Sequence, residues 1–118
     1  MQLGMIGLGR MGGEMVRRLL RGGHTCVVFD SKQENVTALA AEGAAGARSL
    51  RDFVDALHTP RAIWLMVPAA AVEGTLAALS ELLQPGDVVI DGGNSHYVDD
   101  IHRARALQAR RRLQEPAS

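Results

Sequence analysis

Three glycines set the chemistry open to this chain. Gly7, Gly9 and Gly12 lie in the run Gly7-Leu8-Gly9-Arg10-Met11-Gly12, and Asp30 follows 18 positions after the last of them. A glycine at the first position lets a chain turn tightly out of a strand. At the second, the missing Cβ lets backbone approach a pyrophosphate, and at the third it lets a helix pack close to the strand. A helix that starts here aims unpaired N–H groups and its positive dipole end at phosphate. Asp30 can accept hydrogen bonds from ribose hydroxyls, and its charge would repel a 2′-phosphate, which favours NAD over NADP. Arg10, inside the turn, could reach phosphate or point to water. The same residues could instead form a plain tight turn, with Asp30 capping the next helix. The surrounding order favours the dinucleotide, because strand, glycine turn, helix, strand and acid follow one another as a βαβ unit requires.

A second stretch carries polar groups in a telling place. Asp91-Gly92-Gly93-Asn94-Ser95 follows a buried apolar run. Paired glycines after a strand indicate close approach of a ligand or of other backbone. Asn94 brings an amide donor and acceptor, and Ser95 a hydroxyl. A tight turn with Asn94 or Ser95 capping a helix would use the same residues. The position at a strand's carboxyl end favours a binding role. His96 beside it reads as a surface residue. His24, His58 and His102 show no metal-ligand spacing with one another or with Cys26, so no metal site is expected. No nucleophile–histidine pair is recoverable either.

These residues need a scaffold, and the periodicity supplies one. Leu3-Gly4-Met5-Ile6 reads as a strand. Met15, Val16, Leu19 and Leu20 mark a helix that Gly22-Gly23 ends, and Cys26-Val27-Val28-Phe29 is the next strand. Met11 is expected to pack with Met15 on the helix face, although at the turn it could touch a cofactor instead. Ser31 and Glu34 have capping-box spacing, ahead of a helix whose face is Val36, Leu39 and Ala40 and which ends at Gly43. Residues 44–47 could be a short, weak strand. Ser49 can cap a helix ahead of Asp52, with Leu50, Phe53, Val54 and Leu57 as its apolar face and Thr59-Pro60 as its stop. Residues 62–67 are apolar throughout, so both faces of that strand should be buried, and Pro68 ends it. Val72, Leu76, Leu79 and Leu83 predict a further helix. Pro85-Gly86-Asp87 is a turn, residues 88–90 are a strand, and a last helix starts at about Asp99. Strands alternating with helices predict an α/β fold: a Rossmann-like, doubly wound parallel sheet of about five strands with flanking helices. Ligands of such sheets bind beyond the strands' carboxyl ends, where the loops at residues 7–12, 67–70 and 91–95 lie.

Composition narrows the rest. A chain of 118 residues makes one domain. Aromatics are 3% of the chain, so the core must be aliphatic. The formal net charge of zero gives no pull toward nucleic acid or an anionic membrane. Cys26, within an apolar strand, reads as a small buried hydrophobe. A lone cysteine cannot form an internal disulfide, which agrees with a cytoplasmic protein. No secretory signal is visible, and no apolar run approaches membrane-spanning length.

The glycine run with Met15, Leu19-Leu20 and Gly23-His24 resembles the opening of the β-hydroxyacid dehydrogenase superfamily. Asp91-Gly92-Gly93-Asn94-Ser95 narrows the resemblance to the decarboxylating 6-phosphogluconate dehydrogenases. Trp64-Leu65-Met66-Val67-Pro68-Ala69 and Tyr97-Val98-Asp99-Asp100 with Arg103 and Arg105 are similar to their shorter bacterial-type branch. The resemblance covers residues 1–109 as an NAD-binding Rossmann domain, while residues 110–118 form a divergent basic tail. The five arginines from Arg103 to Arg112 read as a solvated helix end.

The resemblance implies an oxidation of 6-phosphogluconate at its C3 hydroxyl, loss of carbon dioxide and formation of ribulose 5-phosphate, a step of the pentose phosphate pathway. By the same resemblance Gly7, Leu8, Gly9, Arg10, Met11 and Gly12 would hold the pyrophosphate. Asp30, Ser31 and Lys32 would meet the adenosine ribose. Val67, Pro68 and Ala69 would line the nicotinamide half, and Asn94 would touch cofactor and substrate. Family members that use NADP tend to carry Asn-Arg-Ser/Thr where this chain has Asp30-Ser31-Lys32, so the arginine that pairs with a 2′-phosphate is missing. The family's helical domain, with its catalytic lysine and glutamate, has no counterpart in these residues. No catalytic residue is therefore expected in this chain, and the chain should bind NAD without turnover. Two other readings use the same residues: an NAD(H)-binding or sensing module that acts with a partner chain at an exposed sheet edge, and a fragment acting on another β-hydroxyacid; a homodimer could form through that edge or through the family's helical domain.

Overall fold

A computed structural model describes residues 1–92 of the chain. Asn94, Ser95, His96, Tyr97 and the helix expected from Asp99 lie outside the described residues. The elements are β1 (Gln2–Ile6), α1 (Arg10–Arg21), β2 (Thr25–Phe29), α2 (Gln33–Ala40), β3 (Ala45–Gly46), α3 (Leu50–Asp55), β4 (Ala62–Leu65), α4 (Ala69–Ser80) and β5 (Val88–Asp91). All five strands run parallel in the order β3-β2-β1-β4-β5. The chain winds outward from β1 to β3, returns to the centre, and winds the other way through β4 and β5. That reversal opens a crevice between β1 and β4 at their carboxyl ends.

Alternate strand residues face opposite sides of a sheet, and here each side has its own core. Met5, Cys26 and Val28 join Leu8, Val16, Val36 and Leu39 beneath α1 and α2. Ile6, Val27, Ile63, Leu65 and Val89 join Phe53, Val54, Leu57, Leu76 and Leu79 beneath α3 and α4. Burial on both faces explains the unbroken apolar strands. It is incomplete at β4, contrary to expectation. Ile63 and Leu65 are buried, whereas Ala62 and Trp64 are half-buried. Among the described residues α1 and α2 lie over β1, β2 and β3, so Trp64 packs at the rim of their cluster. Cys26 is buried as expected, and burial pushes its thiol up from the ordinary value, which keeps it unreactive.

Two helix starts behave differently. Ser49 caps α3 by accepting the Asp52 N–H at 3.0 Å, as its spacing predicts. The capping box at Ser31 does not form. α2 begins at Gln33 with Lys32 at its N-cap and no side-chain cap bond. The Asp30 carboxylate instead accepts the Lys32 N–H at 2.8 Å, an Asx turn in which the charged acceptor displaces the serine hydroxyl. Val36 and Leu39 face the core, but Ala40 is exposed.

The turn at Pro85-Gly86-Asp87 holds more than a turn. The Asp87 carboxylate is fully buried. It accepts the Arg61 N–H at 2.6 Å, Arg61 Nη1 at 3.0 Å and the Gln84 N–H at 2.8 Å. Arg61 Nε donates to the Val54 carbonyl at 2.9 Å. This network ties the amino ends of β4 and β5 to α3, at the end of the strands opposite the crevice.

Candidate cofactor-binding site

The glycine turn is assembled from both sides. Gly7 takes φ +97°, a conformation open to glycine and strained for other residues. A Cβ there would stand 2.6 Å from the Met66 carbonyl oxygen at the end of β4. A Cβ on Gly12 would overlap the Gly7 carbonyl oxygen, so α1 starts directly against the turn. Gly9 differs from both. It is the N-cap of α1, with no side-chain cap bond, and a Cβ there would meet nothing within 4 Å. Its open side leaves room for a ligand. The first turn of α1 carries no acidic residue, so its N–H groups, unpaired within the helix, are open to an anion with no carboxylate of the helix itself competing for them.

A cleft of about 960 Å³ lies over this turn. Gly7, Gly9, Arg10, Met11, Gly12, Asp30, Ser31, Lys32, Val67 and Pro68 line it. Leu8 and Ala69 are not part of that lining. The Leu8 side chain is buried beneath α1 and α2, and its N–H is bonded to Asp30. Ala69 opens α4 and is exposed. The core position expected for Met11 is not observed. Met11 is 68% exposed, because Gly12, Gly13 and Val16 carry the buried face of α1; Met15 alone packs inward, half-buried.

Asp30 is held by four donors. Oδ2 accepts the Leu8 N–H at 2.6 Å and Asn35 Nδ2 at 3.4 Å. Oδ1 accepts the Lys32 N–H at 2.8 Å and the Ser31 hydroxyl at 3.4 Å. Partial burial alone would raise the carboxyl's pKa, but the hydrogen bonds from Lys32, Leu8, Asn35 and Ser31 override it and hold the group below the usual carboxylate range. A depressed native pKa adds stability above the unfolded value, and that stability is lost as pH falls through the native one. The stability advantage of the wild type over Asp30→Asn should therefore shrink as urea melts are taken below about pH 4. An advantage independent of pH would show that these bonds do not favour the ionised form.

Several lining residues escaped the sequence reading. Ala71, Gly74, Thr75 and Ala78 bring a small-residue face of α4 to the cleft. Their helical spacing is the signal that could have found them, but the apolar stripe of Leu76 and Leu79 on the opposite, buried face dominates the pattern. Asn35, Leu50 and Met66 also line the cleft, and nothing local marks them. Gly92 has a structural account as well, since a Cβ there would run into the Trp64 indole nitrogen.

The cleft thus offers an anion cradle at the start of α1, hydroxyl acceptors at the end of β2, and an apolar wall from Ile6, Met66, Val67 and Pro68 for a flat ring. Among the described residues no cluster of histidine, cysteine and carboxylate side chains could hold a metal ion, and no helix is long and apolar enough to cross a membrane. A doubly wound parallel sheet with a glycine turn at its switch point defines a dinucleotide-binding domain of the Rossmann type.

Comparison with known proteins makes this more specific. Residues 2–114 match the family described as the NAD binding domain of 6-phosphogluconate dehydrogenase, and the chain belongs to that family. It is 52% identical over 110 residues to the NAD(+)-dependent, decarboxylating 6-phosphogluconate dehydrogenase of Haloferax volcanii, covering 92% of this chain and 37% of that protein. It is 40% identical over 114 residues to the decarboxylating 6-phosphogluconate dehydrogenase of Synechococcus elongatus, covering 92% of this chain and 24% of that protein. The chain therefore spans 24–37% of the length of these relatives. Among solved structures, the 3-hydroxyisobutyrate dehydrogenase of Mycobacterium tuberculosis superposes with a TM-score of 0.67 at 27% identity, over 75% of this chain and 30% of that one.

Proposed function

We propose that this chain is the cofactor-binding part of a cytoplasmic, decarboxylating 6-phosphogluconate dehydrogenase that takes NAD in preference to NADP. The observation that carries the preference is Asp30, an ionised carboxylate at the cleft end of β2. Beside it stands Ser31 rather than an arginine, and any pull of Lys32 on a 2′-phosphate would be offset by the Asp30 charge two residues away. The Haloferax relative is named as NAD(+)-dependent, which agrees.

Bound nicotinamide would accept the hydride that leaves C3 of 6-phosphogluconate. The chain's own residues bind and orient. Gly9 and the start of α1 receive the pyrophosphate, with Arg10 at its side. Met66, Val67 and Pro68 shield the nicotinamide end from water. Asn94 would reach cofactor and substrate together. Lys32, the one lysine of the sequence, lines the cleft beside Asp30, at the adenosine end and away from the reacting carbon, so the described residues should bind NAD without turnover.

Calorimetric titration with NAD and NADP tests the preference. The wild type should bind NAD at least about tenfold more tightly, the worth of one close charge repulsion. Asp30→Asn with Ser31→Arg should move the ratio toward NADP. Equal or tighter NADP binding by the wild type would remove Asp30 from this role.

A further inference from the structure

Asp30 has a partner that a ribose-binding carboxylate does not require. Gly7 N–H donates to the Phe29 carbonyl at 2.9 Å, the last backbone bond between the turn and β2. β2 ends there, and the next donor, Leu8 N–H, has no strand carbonyl to meet. The Asp30 Oδ2 oxygen takes that place at 2.6 Å. The other oxygen takes Lys32 N–H at 2.8 Å. One carboxylate thus joins the β1–α1 turn to the β2–α2 turn. A buried backbone N–H must be paired, and Leu8, a residue only 6% exposed, is anchored in the core beneath α1 and α2, so its amide cannot swing out to water.

We propose that Asp30 is a positioning residue for the glycine turn, fixing through Leu8 N–H the backbone that receives the pyrophosphate. This rests on the dinucleotide reading of the cleft. An ionised carboxylate accepts about four hydrogen bonds. Ser31 and Asn35 supply the two long ones, at 3.4 Å. Ribose hydroxyls can replace those two while the short bonds to Leu8 and Lys32 stay. Asp30 therefore acts on the phosphates as well as on the ribose, and its removal should weaken ligands that have no ribose hydroxyls at all.

ADP and 2′,3′-dideoxy-ADP separate the two effects. With the full chain, Asp30→Ala should weaken dideoxy-ADP at least about tenfold and weaken ADP further. Without any ligand, amide exchange at Leu8 should quicken at least about tenfold in the variant. Wild-type affinity of the variant for dideoxy-ADP, or unchanged Leu8 exchange, overturns the proposal. If no adenine nucleotide binds to the wild type, the dinucleotide reading fails, and Leu8 exchange still decides whether the clamp exists. Should the variant not fold, the wild type answers alone: the Leu8 and Lys32 amide resonances should titrate with the Asp30 carboxyl carbon. A Leu8 amide that ignores this titration overturns the clamp.

Discussion

Adding one methyl group at Gly12 should disrupt both fold and binding, while the same group at Gly9 should disrupt binding alone. At Gly12 the new Cβ falls on the Gly7 carbonyl oxygen, and Met66 Cβ is 3.4 Å away. The methyl meets backbone atoms of Gly7, and the far end of a flexible side chain is not there to yield. α1 must lift off the turn, and Gly12→Ala should destabilise the chain by about 3 kcal/mol, the upper range for overpacking. At Gly9 the Cβ meets nothing within 4 Å and the backbone sits at φ −65°, which any residue adopts. Gly9→Ala should alter stability by less than about 1 kcal/mol, the scale of an N-cap change. It should weaken NAD by about tenfold or more, because the methyl projects where the pyrophosphate must approach. Urea melts and calorimetric titration of the two variants check this. Equal destabilisation would mean that Gly9 packs against the chain. Wild-type NAD affinity in Gly9→Ala would place the phosphates elsewhere.

Asp87→Ala should be the more damaging change to stability, with no effect on the cleft. Its carboxylate has no exposure at all, and the Arg61 side chain is only 10% exposed. Removing one partner of such a pair leaves a buried uncompensated charge and costs about 3–5 kcal/mol. That is a large share of the 5–15 kcal/mol, or roughly so, that holds a domain together. Deleting the charge of Arg61 as well should not restore stability, because the Arg61 and Gln84 backbone N–H groups would still lack their acceptor. Urea melts of Asp87→Ala and of the double variant with Arg61→Leu measure both effects. A double variant as stable as the wild type would show that the ion pair, and not the backbone bonds, is what matters. Under stabilising conditions the folded variant should bind NAD normally, since Asp87 lies at the amino ends of the parallel strands and the cleft at their carboxyl ends.

These two sites differ in how far the sequence exposes them. The glycine turn is local: a strand, three spaced glycines and a helix follow one another between Gln2 and Arg21, and each glycine's role follows from what its missing Cβ permits. The same holds for Ser49, whose cap acts three residues away. Ser31 has the same spacing and fails as a cap, because a stronger acceptor, Asp30, stands next to it. Asp87 carries no mark beyond its turn, since its partner Arg61 is 26 residues distant.

The sequence by itself determined the order of strands and helices, the parallel winding, the glycine turn and the acidic residue that ends β2. All of these depend on period, on turn chemistry, or on the absence of a side chain, and such causes act between near neighbours. Only the tertiary structure decided that Met11 is exposed over the cleft, that the small face of α4 lines it, and that Asp30 reaches back 22 residues to the Leu8 N–H. The physical reason is shared. A helix pattern shows which face is buried but not what the opposite face meets, and a carboxylate shows that it needs donors but not which donors the fold will bring to it.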